Sequence, residues 1–100
     1  MFRHIVSWNF NEDVSEEERA AIRTELSEKF HALVGVIPGL LKVEVGMPPH
    51  PTSNADLVLY CEMEDENTFT VYHDHPEHIK VATIIRSHCH DRRCTNFYAE

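Results

Sequence analysis

Hydrophobic residues occupy every second position at the start of the chain. In FRHIVSWNF (residues 2–10), Phe2, His4, Val6, Trp8 and Phe10 fall on one side and Arg3, Ile5, Ser7 and Asn9 on the other. A period of two predicts a β-strand with one greasy and one mixed face. The pattern then changes. Ser15-Glu16-Glu17-Glu18 sets a hydroxyl three residues before a glutamate, the capping box that opens a helix. Ile22, Leu26, Phe30, Leu33 and Ile37 follow at spacings of three and four, an apolar helical stripe that Pro38–Gly39 stops. LLKVEV (40–45) predicts a second strand, with Leu41, Val43 and Val45 on one face and Leu40, Lys42 and Glu44 on the other. GMPPHPTSNAD (46–56) is too rich in turn residues for regular structure. LVLYCEM (57–63) predicts a third strand, apolar enough for a central position. Asp65 reads as the N-cap of a short helix carrying Phe69 and Tyr72. Pro76, with no N–H to lose, fits the first position of a further helix, on which Ile79, Val81, Ile84, Ile85 and His88 approximate an apolar face. RRCTNFY (92–98) predicts a fourth strand, polar at its beginning.

That order is β-α-β-β-α-β, the α+β ferredoxin-like arrangement of a four-stranded antiparallel sheet with helices on one face. A chain of 100 residues makes a single domain, residues 1–100. The sheet face away from the helices carries Ile5, Ser7, Val58 and Tyr60 and is too apolar to leave wet. A second copy laid over it resolves this, which predicts a homodimer with its sheets face to face.

Charge removes whole classes of partner. Seventeen acidic against nine basic residues leave a net charge of −8, which repels phosphate backbones and anionic lipid, so neither nucleic acid nor membrane is expected. No apolar run approaches the roughly 18 residues of a membrane span, and the alternating N-terminal stretch is not a signal peptide. Cys61, Cys89 and Cys94 are odd in number and lack framework spacing, which points to reduced thiols and the cytoplasm.

The densest chemistry is VYHDHPEH (71–78), a tyrosine and three histidines around a proline. Taken with RHIVSWNF on the first strand, VSEEE at the first helix and IPGLLKVEVG entering the second strand, it resembles the stress-responsive dimeric α/β-barrel family nearly end to end. The resemblance implies a ferredoxin-like monomer, a dimer closing an eight-stranded barrel, and a cavity between sheet and helices. Family members include stress-associated plant proteins and a plant polyketide cyclase that folds a poly-β-keto chain into an aromatic acid by aldol condensation. Carried over by position, that cyclase's catalytic pair is His78 and Tyr72, with His4 near the pocket.

The residue types suit that chemistry on their own terms. An aldol cyclisation without cofactor needs a base for an acidic C–H and a donor for the developing enolate; a neutral imidazole and a phenol can supply them. With Pro76 first in its helix, His78 is third, where the positive end of the helix dipole disfavours imidazolium. The alternative is a helix-end histidine and a core tyrosine with a satisfied hydroxyl. His73 is expected to be exposed, and His75 to pack or cap. Trp8, Leu26, Phe30, Leu59, Cys61 and Val81 should face the layer between helices and sheet, lining a pocket if packing leaves a void beside His78. The family's last strand is normally aliphatic, whereas this one opens with Arg92 and Arg93, one of which must face the helices. Arg92 there could pair with a substrate carboxylate, and Trp8 with Arg92 favours a smaller, more polar ligand than the cyclase's.

Eight histidines also raise a metal site. His88, Cys89, His90 and Cys94 lie in HCHDRRC, and His73, His75 and His78 in HDHPEH, yet no C-x2-C or H-E-x-x-H spacing occurs. Cys89 and His90, adjacent on an expected helix end, should point apart. Neither metal nor cofactor is expected. The leading expectation is a homodimeric barrel protein that binds a small anionic organic molecule, a cyclase or isomerase using His78, Tyr72 and, as auxiliary, His4. A non-catalytic stress-response or binding dimer comes second, and metal-dependent function through the histidines third.

Overall fold

The computed structural model describes residues 1–100. Its elements are β1 (Phe2–Phe10), α1 (Glu16–Leu33), β2 (Leu40–Val45), β3 (Leu57–Met63), α2 (Glu66–Asp74), α3 (Pro76–His88) and β4 (Cys89–Tyr98). The strands form one antiparallel sheet in the order β2-β3-β1-β4. This is the ferredoxin-like fold, its second helical connection divided into α2 and α3.

Alternation along β1 sets the layers. Phe2, His4, Val6, Trp8 and Phe10 are buried beneath the helices, and the residues between them are half-buried on the opposite face. The helices answer with Ile22, Leu26, Phe30 and Leu33 from α1 and Val81 and Ile85 from α3. Each such side chain contributes roughly 1.5–3 kcal/mol by leaving water. Local signals hold the helix starts: Ser15 Oγ accepts the Glu18 N–H at 3.2 Å, and Asp65 Oδ1 accepts the Thr68 N–H at 3.0 Å. Gly39 (φ 86°) turns the chain into β2, and a Cβ there would collide with the Thr68 side chain at the start of α2. No helix is long and apolar enough to cross a membrane.

Four local expectations fail, each for an identifiable reason. α1 ends at Leu33; Ile37 is buried as expected, but from the turn beyond, its N–H bonded to the Leu33 carbonyl at 2.8 Å. In β2 a register shift between Leu40 and Lys42 exchanges the first two residues, so Leu40 is buried and Leu41 is 47% exposed, while Val43 and Val45 are buried as expected. Ile79 is also 46% exposed, outside the buried face of α3 formed by Val81 and Ile85. β4 begins at Cys89, earlier than the alternation predicted, and so takes Cys89 and His90 out of the helix.

The cause in β4 is a bulge. Ser7 pairs with Arg93 and Asn9 with His90, leaving two residues, Asp91 and Arg92, opposite Trp8 alone. Asp91 adopts the left-handed backbone (φ 56°), which aspartate tolerates better than most residues, and its carboxylate accepts from Asn9 Nδ2 at 3.3 Å. Beyond the bulge Arg93 shares Ser7's face, while Arg92 opens toward the helices.

On the outer sheet face Arg3 Nη1 donates to the Tyr60 hydroxyl at 3.1 Å, which donates to Glu62 Oε2 at 2.7 Å. The Glu62 carboxylate is the main reason the Tyr60 phenol is raised above its usual pKa. Around this chain of bonds lie Ile5, Val58 and Phe97, the last two well exposed.

Candidate functional site

A cavity of about 290 Å³ lies between the sheet and the helices. Val6, Trp8 and Leu59 line it from β1 and β3, Phe30 from α1, Tyr72 from α2, and His78, Ala82 and Ile85 from α3. His4 lines it too, and the exposed Arg86 and Arg92 stand at its mouth with His73.

The break between α2 and α3 places the two residues of greatest chemical interest. Tyr72 sits in the last turns of α2. His75 caps α3, its Nδ1 accepting the Glu77 N–H at 3.1 Å, and Pro76 opens that helix. His78 therefore lies in the first turn of α3, and its ring reaches back over Tyr72 with 4.1 Å between centroids. His78 Nδ1 is 3.2 Å from the His73 carbonyl oxygen. A carbonyl only accepts, so Nδ1 carries the proton and the neutral ring keeps its lone pair on Nε2. Burial pushes the His78 pKa down to about 4, with the charges of His73, His4 and Arg86 adding to the fall and the His73 carbonyl opposing it. The direction is that expected from the sequence, but burial leads rather than the helix dipole. His78 is neutral throughout the physiological range.

Tyr72 is 1% exposed and its hydroxyl has no hydrogen-bond partner. Burial first, then the neighbouring Cys61, pushes its phenol far above the usual value. It remains protonated and able to donate. His4 completes the cluster, its ring edge-on to Tyr72 at 5.7 Å. His4 Nδ1 lies 2.6 Å from Asn96 Oδ1, an acceptor that fixes the Nδ1–H tautomer, and 3.7 Å from Cys94 Sγ. Burial lowers its pKa as well, against the Asn96 bond.

The histidine-rich segments do not converge. No three His, Cys, Asp or Glu side chains are gathered as a metal would require. His75 is occupied as a cap, and His73 is exposed and turns to Asp74 Oδ1 at 3.0 Å.

The family model of the stress responsive A/B barrel domain matches residues 2–99. The chain belongs to this family. This A/B barrel protein is similar to a dimeric protein of unknown function with a ferredoxin-like fold from Bacteroides fragilis NCTC 9343. The two share 28% identity over 96% of this chain and 93% of that one, with a TM-score of 0.87. A dimeric ferredoxin-like protein of unknown function from Thermobifida fusca is 24% identical over 98% and 90%, with a TM-score of 0.81. A hydroxynitrile lyase from Passiflora edulis shares the fold at 13% identity over 99% and 93%, with a TM-score of 0.77. No curated protein matches the chain in sequence.

In this A/B barrel protein His4, Trp8, Phe30, Leu59, Tyr72, His78 and Arg92 come together around one cavity. Leu26, Cys61 and Val81 lie in the expected layer but are consumed by core packing and do not line it. Cys61 is fully enclosed, and burial pushes its thiol up to about 12. Sequence reasoning missed Ala82, Ile85 and Arg86, although they follow His78 at helical spacings and so share its face. It also missed Asn96, which meets His4 only through the register of β4 on β1.

Proposed function

We propose that this A/B barrel protein binds a small anionic organic molecule and transforms it by cofactor-free general acid–base chemistry, as a cyclase or isomerase. The observation that carries the reading is the Tyr72 hydroxyl, buried with no oxygen or nitrogen partner and only the Cys61 thiol beside it, on a ring packed against a neutral histidine at the cavity. Leaving such a donor without a partner costs roughly 1–3 kcal/mol, and a substrate oxygen would remove that cost. In the proposed reaction His78 Nε2 takes a proton from a carbon beside a carbonyl. The C–H electron pair moves into the new C=C bond, the carbonyl oxygen becomes an enolate, and Tyr72 donates to it. The enolate carbon then attacks a second carbonyl, whose alkoxide takes the proton from His78, or the proton returns to a different carbon. His4 assists as a second neutral imidazole. A base whose pKa is about 4 is weak, so the reacting C–H must itself be acidic, as between two carbonyls. Arg92 holds the anionic end.

A binding protein without turnover is the second reading, and the same low basicity of His78 favours it. We place either activity in a homodimer, because both dimeric relatives share this fold and the outer sheet face leaves Val58 and Phe97 exposed beside Ile5. The three free thiols support a reducing compartment, the cytoplasm.

Proton exchange tests the proposal. In D2O, NMR should show deuterium entering the activated C–H of a small β-keto or β-diketo acid. His78→Ala should slow the exchange by roughly 10²-fold or more, and Tyr72→Phe should slow it as well. The rate should rise with pH through about 4 and then level, because only neutral His78 accepts the proton. Exchange indifferent to His78→Ala, or binding without exchange, would hand the site to the second reading.

A further inference from the structure

The cavity inverts the charge of the molecule that contains it. The chain has 17 acidic and 9 basic residues, yet no aspartate or glutamate lines the cavity, whereas Arg86, Arg92 and three histidines do. The basic residues elsewhere are mostly occupied. Lys29, Lys42, Lys80 and Arg19 pair with carboxylates. Arg3 bonds to Tyr60, and Arg23 donates to the Asp56 carbonyl at 3.1 Å. Arg86, Arg92 and Arg93 make no ion pair and no side-chain hydrogen bond, and of these three Arg86 and Arg92 line the cavity. A guanidinium is a rigid fork of donors suited to a carboxylate, and these two approach from different elements. Arg86 comes from the last turn of α3. Arg92 comes from the β4 bulge, where two residues facing Trp8 alone turn it toward the helices. A bulge beside a cavity is a common means of aiming a side chain.

We propose that Arg86 and Arg92 together form a carboxylate-binding subsite at the cavity mouth, and that the ligand is a small monocyclic or comparably compact organic acid. Size sets the second half of that statement. An apolar cavity of about 150 Å³ accommodates benzene. The cavity here, about 290 Å³, has room for a ring with substituents, whereas a long chain would have to extend out through the mouth. Trp8, Phe30 and Leu59 supply apolar surface for the ring, and the rim takes the charge. The assignment deepens the proposed function: it fixes which end of the substrate faces solvent, while His78 and Tyr72 meet the other end.

Titration calorimetry with benzoate and its neutral isostere benzamide tests this on the full chain. Benzoate should bind at least about tenfold more tightly than benzamide. Arg86→Gln and Arg92→Gln should each weaken benzoate by roughly tenfold and leave benzamide unchanged. Arg93→Gln removes an equal charge from the opposite sheet face and should do neither. Equal affinity for the two probes, no benzoate binding, or equal weakening by Arg93→Gln would overturn the subsite. The result stands apart from the catalytic reading. Arginine-dependent benzoate binding without proton exchange in any keto acid would leave the subsite and remove the chemistry. Exchange that tolerates both arginine substitutions would do the reverse.

Discussion

Tyr72 is the residue at which stability and function pull in opposite directions. Its buried hydroxyl has no oxygen or nitrogen partner and only the Cys61 thiol beside it, so removing it takes away a desolvation cost and opens almost no cavity. Tyr72→Phe should therefore leave stability unchanged or raise it by up to roughly 1–3 kcal/mol in urea unfolding, while it impairs proton exchange. A clear loss of stability would instead give the hydroxyl a partner in solution, with the Cys61 thiol closest to that role, and return Tyr72 to plain core. His78 shows the same division. Its neutrality follows from burial, and its tautomer is set by the backbone of the preceding helix.

At the level of elements, the site depends on how closely the first turn of α2, capped by Asp65, approaches the turn into β2, and Gly39 permits that approach by having no Cβ to meet Thr68. Gly39→Ala would impose both a collision and a left-handed backbone on a residue with a Cβ, and should cost at least about 1–2 kcal/mol. Adding Thr68→Ala should recover the collision but not the backbone strain, so the two changes should be coupled in a double-mutant cycle. Strict additivity would mean that the two segments do not press on one another. Boundaries made by local chemistry were legible in the sequence. Ser15, Asp65 and Pro76 each mark a helix start through a bond or a missing N–H within a few residues. The shifts at Leu41 and Asp91 were not, because a bulge exists only relative to the neighbouring strand. That is also why the first residues of β4 read as the end of a helix.

Across the whole molecule, the alternation of β1 correctly assigned two sheet faces, and so told which residues could meet the helices. It could not tell which of them would be packed. Leu26 and Phe30 are neighbours on one stripe, yet only Phe30 reaches the cavity, since a void is what remains after every side chain has been placed. The outer face carries its own prediction. Ile5→Asp with Val58→Asp should leave the helices intact by circular dichroism and give a monomer by light scattering, because paired sheets cannot bury two uncompensated carboxylates. An unsubstituted protein already monomeric at micromolar concentration would dismiss the face-to-face dimer. The carboxylate-free cavity in an acidic chain has a further consequence, in kinetics. An incoming anion is repelled by the net charge at long range and attracted by the two arginines only on arrival. Moderate salt screens distant exposed charges most, so it should quicken capture even as it loosens the final contact. Over that range of ionic strength, association and dissociation should accelerate together.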